Sequence, residues 1–161
     1  MFLEARPILP GTGHQEGRRL LAQMYALYAG GSMPEIVLTR QGKPCFVGSS
    51  WHFSISHTKH HVFCALSKTN IGIDAEEADR NIRLELAEKI LSPAEYRQFE
   101  AAADKRTALL TFWVLKEAQA KLSGEGIKFH PNHTNFILDD PRVTLIDNCL
   151  VAVLQEENHA L

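Results

Sequence analysis

The stretch Ile71-Gly72-Ile73-Asp74-Ala75-Glu76 decides how this chain is read. Side chains alternate faces along a strand, so Asp74 and Glu76 project to one side while Ile71 and Ile73 face a core. Two carboxylates on one strand face repel each other unless a cation lies between them. A hard, oxygen-ligated cation such as magnesium is the usual partner, often shared with a phosphate. The competing reading is a strand surface that simply faces water. Acidic residues are depleted from strands, and Gly72 marks a place where another backbone can come close.

Working outward, the flanking segments also read as short strands. Ile36–Thr39, Trp51–Ser56 and His61–Ser67 carry β-like patterns, and Gln41-Gly42-Lys43-Pro44 is a turn between two of them. In Trp51–Ser56, the apolar Trp51, Phe53 and Ile55 alternate with His52, Ser54 and Ser56, giving one apolar and one polar face. Before them, Leu20, Leu21, Met24, Leu27 and Tyr28 recur at helical spacing from Gln15 to Ala29, and Gly30-Gly31 supply a stop. After the acidic strand, Ser92-Pro93-Ala94-Glu95 is a capping box that opens a helix to about Ala103. Asp104 caps a longer helix reaching Leu122, ended by Ser123-Gly124 and Gly126. The tail reads β again: Asn135–Leu138, Val143–Ile146 and Leu150–Leu154, with turns at Asp139-Asp140-Pro141 and Asp147-Asn148.

Each half is thus a helix followed by short antiparallel-type strands. The expectation is an α+β fold of two similar lobes, each a helix packed on a small antiparallel sheet. The chain forms one domain over 1–161, with an N-terminal lobe over 1–70 and a C-terminal lobe over 71–161. Sites often form where such lobes meet.

The 161 residues are 45% hydrophobic, enough for an ordinary core. A net charge of −2 carries no global basic field that would advertise nucleic acid. A phosphorylated ligand would need local cations. No apolar run approaches the roughly 20 residues of a membrane span. The first residues lack the order of a signal peptide, and Cys45, Cys64 and Cys149 form no close-spaced pair. A soluble, reduced, cytoplasmic protein is expected.

On the long helix, Glu117 and Lys121 lie four apart and share a face. Such a pair is commonly a solvated ion pair contributing about 0.3–0.5 kcal/mol, and a tryptophan such as Trp113 is more often core than ligand platform. Ser56-His57-Thr58 closes a strand and reads either as a hydroxyl-rich turn or as a phosphate contact. His57, His60 and His61 lack the cysteine or carboxylate partners of a zinc site. A Ser56–His57–Asp74 triad is disfavoured because adjacent strand residues point to opposite faces. No glycine-rich phosphate loop of the P-loop or Rossmann type is present.

Four motifs in one order resemble the 4′-phosphopantetheinyl transferases of the surfactin-type (Sfp-like) group. They are Gly42-Lys43-Pro44, Ser56-His57-Thr58, Gly72-Ile73-Asp74-Ala75-Glu76, and the stretch from Trp113 through Lys116-Glu117 to Lys121. Gly124-Glu125-Gly126-Ile127 looks like the family's exit from that helix, so the likeness runs from Arg18 to Ile127. Thr58 stands where serine is commoner, and the N-terminus reads as shortened relative to the group. The resemblance implies a monomeric pseudo-dimer that transfers 4′-phosphopantetheine from coenzyme A to a serine of an apo acyl or peptidyl carrier protein. The other product is adenosine 3′,5′-bisphosphate. By similarity, Asp74, Glu76 and Glu117 hold Mg²⁺, Glu117 accepts the serine proton directly or through a water, and Lys121 stabilises or protonates the departing pyrophosphate oxygen. Arg18, Lys43 and His57 look like the 3′-phosphate contacts, and Ser56 and Lys116 add phosphate hydrogen bonds. The clients implied are carriers of fatty acid, polyketide or nonribosomal peptide synthesis.

Two other readings compete. One is a non-catalytic module that binds coenzyme A or a carrier protein. The other is a metal-dependent phosphatase built on the same acids. Lys89, Arg97, Lys105 and Arg106 could form a basic rim for an acidic carrier helix, though ordinary surface cations read the same way.

Overall fold

Alternation along Ile71–Glu77 survives intact in the folded chain. Ile71, Ile73 and Ala75 are buried on one face, and Gly72, Asp74 and Glu76 lie on the other. The computed structural model describes residues 1–126 and 130–156; Ile127, the last residue of the family resemblance, lies outside them.

The first lobe runs β1 (Phe2–Pro7), α1 (Gly13–Met24), β2 (Ile36–Leu38), β3 (Pro44–Phe46), β4 (His52–His57) and β5 (His61–Ser67). A wider π-type turn over Tyr25–Ala29 continues α1 as far as Gly30. The second lobe runs β6 (Ile71–Glu77), α2 (Ala87–Ile90), α3 (Pro93–Ala101), α4 (Lys105–Ser123), β7 (Val143–Ile146) and β8 (Cys149–Gln155). Their sheets are ordered β1-β5-β4 and β6-β8-β7, antiparallel throughout, with β2 and β3 a separate hairpin. Both lobes therefore follow one plan: a strand, a long helix, then two strands of which the last is central. The fold is α+β, as the sequence predicts.

Three apolar clusters define the layers. Leu20, Leu21 and Met24 of α1 pack on Val62, Cys64 and Leu66 of β5. The opposite face of β5, Phe63 and Ala65, meets Ile71, Ile73 and Ala75 together with Cys149 and Val151. The far face of β8, Ala152 and Leu154, supports Leu109, Leu115 and Ala118 among the α4 residues of the largest cluster. The order is helix, sheet, sheet, helix, with the two sheets face to face. Each fully buried Leu, Ile or Phe in these contacts contributes about 1.5–3 kcal/mol.

One edge joins the lobes without a backbone ladder. Ser54 Oγ accepts from Ile73 N at 3.0 Å, and Ser56 Oγ accepts from Ala75 N at 3.1 Å. The polar face of β4 read from the alternation is thus a buried seam, not a solvent face: Ser54 and Ser56 are 7% and 5% exposed.

The helix ends follow their signals. Ser92 Oγ accepts from Glu95 N at 3.2 Å while Glu95 Oε2 accepts from Ser92 N at 2.8 Å, the reciprocal capping box. Asp104 accepts from Thr107 N at 3.0 Å, and Gly124, at φ +75°, closes α4 in the left-handed region. Asp147 and Asn148, at φ 48° and 60°, make the two-residue turn between β7 and β8.

Three expectations change. Asn135–Leu138 is not a strand: Phe136 N donates to Glu95 Oε1 and Leu138 N to Gln98 Oε1, so α3 side chains take the amides a ladder would use. The first helix of the C-terminal lobe's main pair, α3, stops at Ala101, two residues before Ala103. Strand β1 is additional, because Glu4, Arg6 and Pro7 give it poor intrinsic β character and pairing with β5 supplies its order. Among the described residues no helix is long and apolar enough to cross a membrane.

Candidate functional site

Helix α4 lies directly on the acidic face of β6, and Gly72 is the reason. A Cβ there would stand 2.1 Å from Ala118 O and 2.5 Å from Leu122 N, so only glycine lets the two backbones meet. That contact brings the Glu117 and Lys121 face of α4 over Asp74. Lys121 Nζ donates to Asp74 Oδ1 at 2.7 Å, and Ser56 Oγ donates to the same oxygen at 3.2 Å.

Asp74 is 6% exposed, and its other oxygen, Oδ2, is buried with no hydrogen-bond partner among the described residues. Leaving such an acceptor dry costs about 1–3 kcal/mol, more when it is charged. Burial pushes the Asp74 carboxyl above its usual range, opposed chiefly by Lys121 and then by Ser56. Glu117 is also raised, first by burial and then by the Asp74 charge, with Lys121 and Arg80 pulling it back. Glu76 is raised by burial, opposed by Arg80, and pushed up again by Asp74. Glu76 and Glu117 therefore both feel the Asp74 charge.

Two cations offset them. Arg80 donates to Glu76 Oε1, and its guanidinium lies 5.7 Å from the Trp113 ring centre. Lys121 serves Asp74. Among the described residues no three His, Cys, Asp or Glu side chains are grouped closely enough to form a metal cluster as they stand. The chemistry of the donors nonetheless suits a hard cation: three carboxylates, one with a buried oxygen that has no partner among the described residues.

Beside the acids opens a cleft of about 840 Å³ between the lobes. Trp113, Glu117 and Lys121 line its C-terminal side, and His14, Arg18 and His57 bring imidazole and guanidinium groups from the N-terminal side. His57 packs on the start of α1, where a Cβ on Gly13 would stand 2.4 Å from its Cγ. Phe53 and Ile55 add apolar wall. The cleft thus has Arg18 and two imidazoles on one side, Glu117 and Lys121 on the other, and an apolar wall between them. That arrangement can hold a phosphorylated ligand with a divalent ion at its reacting end.

Comparison with known proteins decides the family. The model of the ACPS family, described as the 4′-phosphopantetheinyl transferase superfamily, matches residues 70–159, which include β6, α4 and every acid above. The chain belongs to the 4′-phosphopantetheinyl transferase superfamily. Among curated relatives, the 4′-phosphopantetheinyl transferase psf-1 of Bacillus pumilus is 33% identical over 134 residues, covering 80% of this chain and 55% of that protein. The transferase gsp of Aneurinibacillus migulanus is 33% identical over 113 residues, 67% of this chain and 47% of its own length. Sfp of Bacillus subtilis is 37% identical over 89 residues, 53% and 39% respectively. These relatives place the chain in the Sfp-like group, and it spans about half the length of the curated relatives it matches.

Of the residues singled out from sequence, Asp74, Glu76, Glu117 and Lys121 come together, and Arg18 and His57 face the same cleft. Ser56 uses its hydroxyl within the seam and on Asp74. Lys116 and Lys43 line the cleft, but their ammonium groups turn into the protein. Lys116 pairs with Glu95 Oε2 at 2.7 Å, 3% and 0% exposed, and also donates to Pro131 O and to Thr134 Oγ1, the latter at 3.1 Å. Lys43 donates to Asn70 and to the backbone of Ile71 and Leu122.

Sequence reading missed His14, Ser54 and Arg80. The spacing of His14 and Arg18, four apart on α1, could have shown a shared face. Ser54 follows from the same alternation that exposed Ser56. Nothing in the spacing announces Arg80, which reaches Glu76 from the irregular segment after β6.

The lobe repeat also accounts for why the acids gather once. Pro7 pairs with His61 in one sheet as Glu77 pairs with Cys149 in the other. Glu4 then occupies the place of Asp74, and Arg6 that of Glu76. In the first lobe the position is self-neutralised: Arg6 lies 3.7 Å from Glu4, and Tyr28 donates to Glu4 at 2.9 Å.

Proposed function

We propose that this chain transfers the 4′-phosphopantetheine group of coenzyme A to a serine hydroxyl of an apo carrier protein in a Mg²⁺-dependent reaction, releasing adenosine 3′,5′-bisphosphate. The observation that carries this reading is Asp74: buried, its Oδ2 without a partner among the described residues, beside Glu76 and Glu117 in a family built for this transfer.

Asp74, Glu76 and Glu117 would hold the magnesium ion. An ion held there would supply charge neutralisation for the pyrophosphate that is divided, and Glu76 would have to exchange its Arg80 pairing to take part. Glu117, its carboxyl held up by burial and by Asp74, accepts the proton of the carrier serine as the oxygen forms its bond to the pantetheine-bearing phosphorus. The bond from that phosphorus to the bridging oxygen breaks, and Lys121, fixed on Asp74, donates a hydrogen bond to the departing oxygen. Arg18, with the imidazoles of His57 and His14, would meet the remote 3′-phosphate. Phe53, Ile55 and Trp113 keep water from the apolar parts.

The client class is an acyl or peptidyl carrier of fatty acid, polyketide or nonribosomal peptide synthesis, met in the cytoplasm by a monomeric enzyme. Incubation with coenzyme A, MgCl₂ and a panel of apo carriers, followed by intact-mass measurement, tests the reading. A mass gain of one phosphopantetheine, lost on chelation of the metal, is the expected result. No gain on any carrier, with coenzyme A still bound in calorimetry, overturns catalysis and leaves a binding module.

A further inference from the structure

The mechanism leaves Lys43 without a task, although it stands in the first of the family-like motifs. An ammonium has three donors and no acceptor. All three donors of Lys43 are engaged: one by Asn70 Oδ1, one by Ile71 O at 3.1 Å and one by Leu122 O at 2.9 Å. A phosphate contact would require one of them to be surrendered.

The acceptors are informative in themselves. Ile71 begins β6, three residues before Asp74. Leu122 lies in the last turn of α4, next to Lys121, where helix carbonyls lack intrahelical partners and the dipole favours a cation. Asn70 Nδ2 donates to the same Leu122 oxygen at 2.9 Å. The lysine stem is held as well: a Cβ on Gly124 would sit 3.1 Å from Lys43 Cβ. One side chain of the first lobe therefore staples the start of the acidic strand to the end of the catalytic helix, beside the Gly72 contact.

We infer that Lys43 is a positioning residue: through Ile71 O and Leu122 O it fixes α4 against β6, so that Glu117 and Lys121 stand in register with Asp74. Burial lowers the Lys43 pKa, in keeping with an ammonium turned away from water. The role rests on the transferase reading for its effect on rate, but the staple itself does not.

The test compares Lys43→Met with the unaltered chain on two donors, coenzyme A and 3′-dephospho-coenzyme A, and measures hydrogen exchange across the last turn of α4. A positioning role lowers kcat for both donors alike, by about tenfold or more. It leaves their KM ratio unchanged and speeds exchange in that turn. Lys43→Gln, which can still donate to one of the two carbonyls, follows the same pattern more weakly and decides the matter if Lys43→Met does not fold. A rise in KM for coenzyme A alone, with exchange unaltered, overturns the inference. If the unaltered chain transfers from neither donor, the functional reading fails, and the exchange measurement alone upholds or overturns the staple.

Discussion

Replacing Gly72 with alanine isolates the contact that assembles the site. Its backbone lies outside the left-handed region, so alanine there would ordinarily add about 0.4–1 kcal/mol of stability by restricting the unfolded chain. The local geometry reverses that sign. The new Cβ would stand 2.1 Å from Ala118 O, 2.5 Å from Leu122 N and 2.9 Å from Leu122 Cα. Carbon–oxygen contacts settle near 3.3 Å, so α4 must withdraw by about 1 Å. All three obstructing atoms belong to the main chain, and no side-chain rotation relieves them. Overpacking of this kind costs about 1–3 kcal/mol, which for a domain of this size lowers Tm by roughly 3–10 °C. The same withdrawal carries Glu117 and Lys121 away from Asp74, and a displacement of that order costs about 10²-fold in rate. Calorimetric melting and the carrier mass-gain rate are the measurements. A Gly72→Ala protein that melts within a degree of the parent and transfers within twofold of its rate would refute the reasoning.

Other outcomes follow from named contacts. Glu117→Gln should abolish carrier modification while leaving Tm within a few degrees; a near-parental rate would remove Glu117 from the proton-accepting role. Lys116→Ala leaves Glu95, fully buried, without its cation and should cost about 3–5 kcal/mol in urea unfolding. Glu95 also bonds Ser92 N and Phe136 N, so Lys116→Met/Glu95→Gln should recover only part of that loss. The Arg142 hydrogen bonds hold the Asp140 carboxyl below its usual range. Its stabilisation is then complete above about pH 4, the unfolded value, and disappears as pH falls through the lower folded one. Asp140→Asn should flatten the acid limb of the stability profile below about pH 4 and lower stability by a constant amount above it; an unchanged slope would contradict the assignment.

Much of the fold was legible because its signals are local. The Ser92 capping box, the Asp104 cap and the Asp147-Asn148 turn each act within a few residues, and each lies where sequence placed it. Strand β6 was readable because one alternation separates core from site. Asn135–Leu138 misled because its apolar pattern, Phe136 and Leu138, serves a loop held by α3 side chains 41 and 40 residues away. The site was legible to the extent that its chemistry is on β6 and one face of α4. Lys43 and Lys116 show the limit. A motif identifies a cation, but whether its ammonium turns to the cleft or into the protein depends on acceptors contributed by distant backbone.

The seam between β4 and β6 carries a consequence for assembly. Serine hydroxyls stand where a ladder's carbonyls would be, and only Ser54 and Ser56 supply them. Sliding β4 by one residue would present Phe53 and Ile55 to the amides of Ile73 and Ala75, stranding both donors in the dry interior. The two hydroxyls therefore act as a ruler, permitting a single alignment of the halves, and that alignment is the one that sets a serine beside Asp74.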